Sequence, residues 1–269
     1  CFVFASYDVN SNSLTLTYND KALGLTYTAT INAYEENDVY ALSAKLESKS
    51  PIIMEWFSAP VVEVSQTSKE MVDYGGYWSG EFRSQVTPWV TGVHLRESRV
   101  GTTSHAHFPG LLIPTIESSD NSGSCYGFHY GWSGGHRMIA EQLQDGRRQI
   151  QFGNTENSEL SPGTSFETEK LYICYSKYGM GGVGRLFRGH VSKSIVDLPK
   201  DSVRPVHYNC WEAIYFDHNI DELKEMATIA AEIGAERFVL DDGFYRMRNH
   251  EKKITLCRDL YYNGMSFRK

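Results

Sequence analysis

Alternation of apolar and polar residues dominates the first two thirds of the chain. Ser13-Leu-Thr-Leu-Thr-Tyr18 alternates, breaks at Asn19-Asp20, and resumes in Leu25-Thr-Tyr-Thr-Ala-Thr-Ile31. Val39-Tyr-Ala-Leu-Ser-Ala-Lys-Leu46 follows, bounded by the polar clusters Glu35-Glu-Asn-Asp38 and Ser48-Lys-Ser-Pro51. Gly127-Phe-His-Tyr130, Arg148-Gln-Ile-Gln-Phe152 and Lys170-Leu-Tyr-Ile-Cys-Tyr175 read as further strands, with Ser118-Ser-Asp-Asn-Ser-Gly123 and Ser161-Pro-Gly163 as turns. A period of two puts successive side chains on opposite faces, which gives each strand one apolar side. Many short strands with regular punctuation and almost no helical period predict an antiparallel β-sandwich over residues 1–200.

The pattern changes near Pro199 and Pro205. Val206-His-Tyr-Asn209 is a short strand. Asn219 has the character of a helix N-cap, with Glu222 three positions on as its capping-box partner. Leu223, Met226, Ala227, Ala230 and Ile233 form a stripe at helical spacing, and Gly234 stands where a glycine ends a helix. Arg237-Phe-Val-Leu240 is a short apolar strand of the kind buried on both faces. Strand, helix and strand make one βαβ unit, so residues 201–269 predict the opening of a parallel α/β domain. A complete (β/α)8 barrel takes roughly 250 residues, so only its first two strands are expected here.

Composition adds boundaries. The chain has 269 residues, 41% of them apolar and 22% charged, as in ordinary globular domains. Its net charge of −7, without a long basic run, speaks against nucleic acid or an anionic membrane as a partner. No apolar stretch nears the roughly 20 residues of a membrane span, and no signal peptide is recognisable. Five scattered cysteines without a C-x-x-C spacing suggest neither a disulfide framework nor a zinc knuckle, which fits a reducing, cytoplasmic setting. The first residue is Cys1 and opens straight into an apolar run, as expected of a cut inside a longer chain.

Four groups of residues could carry chemistry. Asp241-Asp242-Gly243 follows the second parallel strand, at the carboxyl end where βα loops converge on ligands. Ionised carboxylates there can accept hydrogen bonds from sugar hydroxyls, or they can cap the next helix or stand in solvent. The pair is not the acid and nucleophile of a retaining glycosidase. Those groups confront one bond at about 5 to 5.5 Å, and adjacent strand residues point to opposite faces. Trp211 follows the first parallel strand and could wall a sugar pocket or pack at the rim of the core, with Glu212 behind it. Gly179-Met-Gly181-Gly-Val-Gly184 satisfies G-x-G-x-x-G, but no βαβ return follows it before Pro199. A flexible hinge between domains is the expected use of those glycines. His105-Ala-His107 has the spacing of two metal ligands but lacks a third, so a loop packed at the domain interface is expected.

Read in order, several stretches resemble glycoside hydrolase family 36, the microbial α-galactosidases. They are Gly76-Tyr-Trp-Ser-Gly-Glu-Phe-Arg83, Glu97-Ser-Arg-Val-Gly-Thr-Thr-Ser-His105, Tyr126-Gly-Phe-His-Tyr-Gly-Trp-Ser-Gly134, Pro205-Val-His-Tyr-Asn-Cys-Trp-Glu-Ala-Ile-Tyr-Phe-Asp217 and Phe238-Val-Leu-Asp-Asp-Gly-Phe244. The resemblance implies a retaining hydrolase of terminal α-galactosyl groups in melibiose- and raffinose-type sugars. It further implies a sandwich, a catalytic (β/α)8 barrel and a small C-terminal β domain, often in a homotetramer without a metal or other cofactor. By position, Asp241 and Asp242 would hold the galactose O4 and O6 hydroxyls, and Trp211 would line the pocket. No catalytic residue carries over, because the family's nucleophile lies in a Lys-x-Asp setting and no Lys-x-Asp occurs in the chain. The chain alone is therefore expected to be inactive. It departs from the family at Phe244-Tyr245, where a Trp-Phe pair is usual, and at Thr255-Leu-Cys-Arg-Asp-Leu260, where Ser-Leu-Gly-Asp-Trp is expected. The rival functions are a non-catalytic carbohydrate-binding or interaction module built on the sandwich, and a metal-dependent glycosyltransferase using paired aspartates.

Overall fold

The computed structural model describes residues 1–103, 105–155, 161–197 and 203–241. The chain divides into two compact units, Cys1–Asp197 and Leu198–Lys269. Alternating residues in the first unit pair as neighbouring strands. β1 (Val3–Asn10), β2 (Ser13–Asp20), β3 (Leu25–Tyr34) and β4 (Val39–Ile52) form a meander. There follow β5 (Val62–Val64), β6 (Glu70–Tyr77), β7 (Gly80–Pro88), β8 (Gly92–Ser98), β9 (Gly110–Pro114) and β10 (Cys125–Tyr130). β11 (His136–Gln142), β12 (Arg148–Asn154), β13 (Gly163–Glu167) and β14 (Leu171–Ser176) complete the set.

Ten of these strands form one antiparallel sheet in the order β1-β2-β3-β4-β14-β10-β9-β6-β7, with β13 added to β4. The other four form a second sheet, β5-β12-β11-β8. The inward residues of both sheets meet in one core. Met71, Leu111, Ile113, Phe128 and Tyr130 come from the larger sheet, and Met138, Ala140, Ile150 and Phe152 from the smaller. This is the sandwich that the alternation predicts. Two polar groups that enter it are tied off. The Tyr130 hydroxyl donates to Asn154 Oδ1 at 2.7 Å and accepts from the Glu169 N–H at 3.2 Å. The buried Asp73 carboxylate of β6 takes His94 Nε2 at 3.1 Å and Arg96 Nε at 3.2 Å from β8, which links the two sheets. Burial alone would raise the Asp73 carboxyl, but the His94 contact and the Arg96 charge outweigh it and leave it below its ordinary range.

β4 runs further than its sequence suggests. Ser48-Lys-Ser-Pro51 reads as a break, yet the strand continues to Ile52 because β13 pairs along its last part. A larger difference concerns the glycine-rich run. Instead of a hinge, it forms helix α1 (Gly179–His190), which lies against β10 and β14. Val183 is fully buried there, packed with Val39, Cys125 and Cys174. Glycine is needed for close approach. A Cβ on Gly127 of β10 would stand 2.3 Å from Val183 Cγ1, and one on Gly182 would stand 2.0 Å from Ser176 Oγ. Burial raises the Cys125 and Cys174 thiols to about 12, so both remain protonated, apolar core residues.

The second unit begins its described part with β15 (His207–Asn209), then α2 (Trp211–Ile214), α3 (Ile220–Glu232) and β16 (Arg237–Val239). β15 and β16 pair in parallel, with Tyr208 opposite Phe238 and Asn209 opposite Val239. Among the described residues no helix is long and apolar enough to cross a membrane.

Two outcomes are expected. Gly127→Ala should cost about 1 to 3 kcal/mol, because the added methyl forces Val183 and Phe187 away from β10. Urea unfolding would measure this, and a variant as stable as the parent would contradict the packing argument. The second outcome concerns His136, whose ring is fully buried between the sheets. Burial lowers it from 6.5 to about 4, helped by His107 and His129 and opposed by the neighbouring Gly134 backbone. The unfolded chain protonates this ring below about 6.5 while the folded one keeps it neutral, so its contribution is whole above that pH. As pH falls from 6.5 to 4, about 3 kcal/mol should be lost on this account. Unfolding midpoints across that window should slope downward, and less steeply in His136→Leu.

Candidate sugar-binding site

Local chemistry builds the second unit. Asn219 Oδ1 accepts from the N–H groups of Asp221 (2.9 Å) and Glu222 (3.4 Å), capping α3 as its sequence predicts. Leu223, Ala227 and Ala230 are buried, and Met226 is partly so. Ile233 departs from the predicted stripe. It lies just past the helix and is 75% exposed. Gly234 takes φ +98° and ends the helix, after which the Ala235 N–H bonds back to the Ala230 carbonyl at 2.9 Å. That reversal delivers the chain to β16. Cys210, Ile214 and Leu223 form the small core beneath, with the Tyr208 and Phe238 rings stacked 5.5 Å apart.

Because the strands are parallel, both carboxyl ends lie at the same edge. Asn209 closes β15 there and Asp241 stands two residues beyond β16. Asn209 reaches both ways. Its Oδ1 accepts the Trp211 N–H at 2.8 Å, and its Nδ2 donates to Asp241 Oδ2 at 2.6 Å. Trp211 begins α2 and sets its ring edge-on to Tyr215 (5.3 Å) and Phe216 (4.9 Å). Tyr215 sits at φ +46° and its hydroxyl donates to Glu212 Oε2 at 3.1 Å, a bond that raises the tyrosine's pKa. Glu212 thus braces the loop that carries Trp211. His218 Nε2 adds a contact to the Tyr215 carbonyl at 3.0 Å.

Of the residues singled out by sequence, Trp211 and Asp241 are brought to one edge and joined through Asn209. Asp242 lies outside the described residues. His105 is exposed and His107 half-buried; among the described residues, no three His, Cys, Asp or Glu side chains are grouped to hold a metal. Sequence reasoning passes over Asn209 as a site residue, although its place at the carboxyl end of a short apolar strand was a signal.

An antiparallel sandwich and a parallel βαβ unit with acceptor groups at its carboxyl edge define a protein of mixed, two-unit β and α/β class. Comparison with known proteins makes the class specific. The Glycosyl hydrolase family 36 N-terminal domain profile matches residues 3–161, and the Melibiase profile matches residues 165–257. The chain belongs to glycoside hydrolase family 36, and its second unit opens the (β/α)8 barrel. It is 33% identical over 258 residues to an α-galactosidase of Escherichia coli, covering 93% of this chain and 36% of that protein. It is 29% identical over 259 residues to α-galactosidase AgaA of Geobacillus stearothermophilus, covering 93% of this chain and 35% of that one. The chain therefore spans about a third of the length of the curated relatives it matches. Among solved structures, the galactosidase domain of the α-galactosidase-sucrose kinase AgaSK shares its fold, with TM-score 0.83 at 24% identity over 90% of this chain and 37% of that one. An AgaA structure from Geobacillus stearothermophilus in complex with 1-deoxygalactonojirimycin superposes with TM-score 0.78 at 28% identity over 86% of this chain and 33% of that one.

Asn219→Ala should cost the second unit about 1 kcal/mol, since two helix N–H groups lose their acceptor. Loss of helical circular dichroism at lower temperature than in the parent would register it; an unchanged melting profile would not fit.

Proposed function

We propose that this chain is the sugar-gripping part of a retaining, exo-acting α-galactosidase of melibiose- and raffinose-type oligosaccharides. The observation that carries the reading is the edge formed by Asn209, Trp211 and Asp241 at the carboxyl ends of the first two barrel strands. Galactose differs from glucose in the direction of its O4 hydroxyl, so a site that selects it needs a partner fixed at O4, and an acceptor at O6 adds to the grip. Asp241 and Asp242 are the groups assigned to those hydroxyls, and Trp211 offers a ring face for the sugar's C–H side. AgaA has been crystallised with 1-deoxygalactonojirimycin, stachyose and raffinose, which supports this substrate class.

Neither the nucleophile nor the acid is assigned to this chain. A glycosyl-enzyme intermediate needs a carboxylate below the ring and a proton donor at the leaving oxygen. The carboxylate that grips hydroxyls serves neither purpose. The 269-residue chain alone is therefore inactive in this reading, and hydrolysis belongs to a longer homotetrameric protein working in the cytoplasm.

The test is made on the purified chain. It should leave a nitrophenyl α-galactoside uncleaved, yet bind galactose in preference to glucose by ligand-observed NMR. Asp241→Ala should weaken that binding tenfold or more, since a charged acceptor contributes about 1.5 to 3 kcal/mol. Measurable turnover, or equal binding of both sugars, would overturn the proposal.

A further inference from the structure

We infer that Asn209 is a positioning residue: its carboxamide fixes the direction of the Asp241 carboxylate while holding Trp211 beside it. The inference rests on the galactose-binding reading given above and adds a residue to it. Its basis is the orientation of one amide. The Trp211 N–H at 2.8 Å can only donate, so the atom it meets must be the carbonyl oxygen of the carboxamide. The amide nitrogen is thereby turned to Asp241 Oδ2 at 2.6 Å. A single planar group therefore couples the backbone at the start of α2 to the carboxylate after β16. A backbone donor on one side dictates which end of the amide faces the acid on the other.

Two roles are combined in this side chain, and they can be separated. A cap for Trp211 requires only an oxygen. A holder for Asp241 requires a donor. Asn209→Asp keeps the oxygen and replaces the donor by a second carboxylate, whereas Asn209→Ala removes both. If Asn209 served merely to cap α2, the aspartate variant would behave like the parent and the alanine variant would be the damaged one. A positioning role reverses that order, because two carboxylates at hydrogen-bond distance cannot both ionise freely.

The experiment uses the 269-residue chain, with carboxyl-carbon NMR to follow Asp241 and galactose as the ligand probe. The midpoint of the Asp241 titration should rise in Asn209→Ala and rise further in Asn209→Asp. Galactose affinity at pH 7 should fall about tenfold in Asn209→Ala and more in Asn209→Asp. Only the aspartate variant should regain affinity toward pH 5, where one proton shared between the two carboxyls restores a donor in place of the amide. In the unsubstituted chain the Asn209 side-chain amide protons should shift together with the Asp241 titration, a readout that survives if a variant does not fold. An Asp241 midpoint unchanged by both substitutions, or amide protons indifferent to it, overturns the inference. Absence of galactose binding by the parent would overturn the sugar-binding reading instead, while the Asp241 titration would still decide the role of Asn209.

Discussion

Two adjacent parallel strands cannot be joined by a tight turn, and the second unit is organised by that constraint. After β15 the chain must travel back along the pair before β16 can run in the same direction, and α3 is the element that returns it. The consequence is chemical as well as topological. Asn209 and Asp241 are separated by 32 positions in sequence, yet both leave their strands at one edge, within hydrogen-bond distance. An antiparallel pair would have placed those two strand ends at opposite edges. The Cys210 N–H bonded to the Val239 carbonyl extends the pairing by one more step and holds the edge in register.

The sandwich answers a different requirement. Its two sheets bury one apolar face each against the other, but the larger sheet has a second face, and part of it is covered by α1. Coverage at that distance demands absence of side chain rather than presence. Gly127 and Gly182 supply flat backbone where Val183 and Ser176 must fit. Asp73 enters with partners from the opposite sheet, His94 and Arg96, and Tyr130 with Asn154. The fully buried His136 is the exception in kind, a titratable ring held neutral by its surroundings.

Much of this was legible from local pattern. Alternation identifies β2, β3, β10, β12 and β14, because a strand with one buried face must repeat every two residues. Asn219 and Gly234 mark the ends of α3, since capping depends on groups only a few residues away. Other features escaped the same reading. The extension of β4 through Pro51 depends on β13, more than a hundred residues later. The run Gly179–Gly184 has poor helix propensity, and its helix exists because of tertiary packing on β10 and β14. Ile233 fits a helical stripe but falls beyond the last turn, where the chain has already begun to leave the small core.

The chain's own order of residues determined the class of its parts: a strand-rich first unit, a βαβ unit after it, and an acceptor at the end of the second parallel strand. It also established the family, through motifs spread along most of its length. Tertiary structure decided which of those residues act together. Nothing within a few positions of Asn209 announces Asp241, because the hydrogen bond between them is created by the crossover and not by sequence proximity. Periodicity reports the face a side chain occupies, whereas only the packed arrangement of strands reports the partner waiting there.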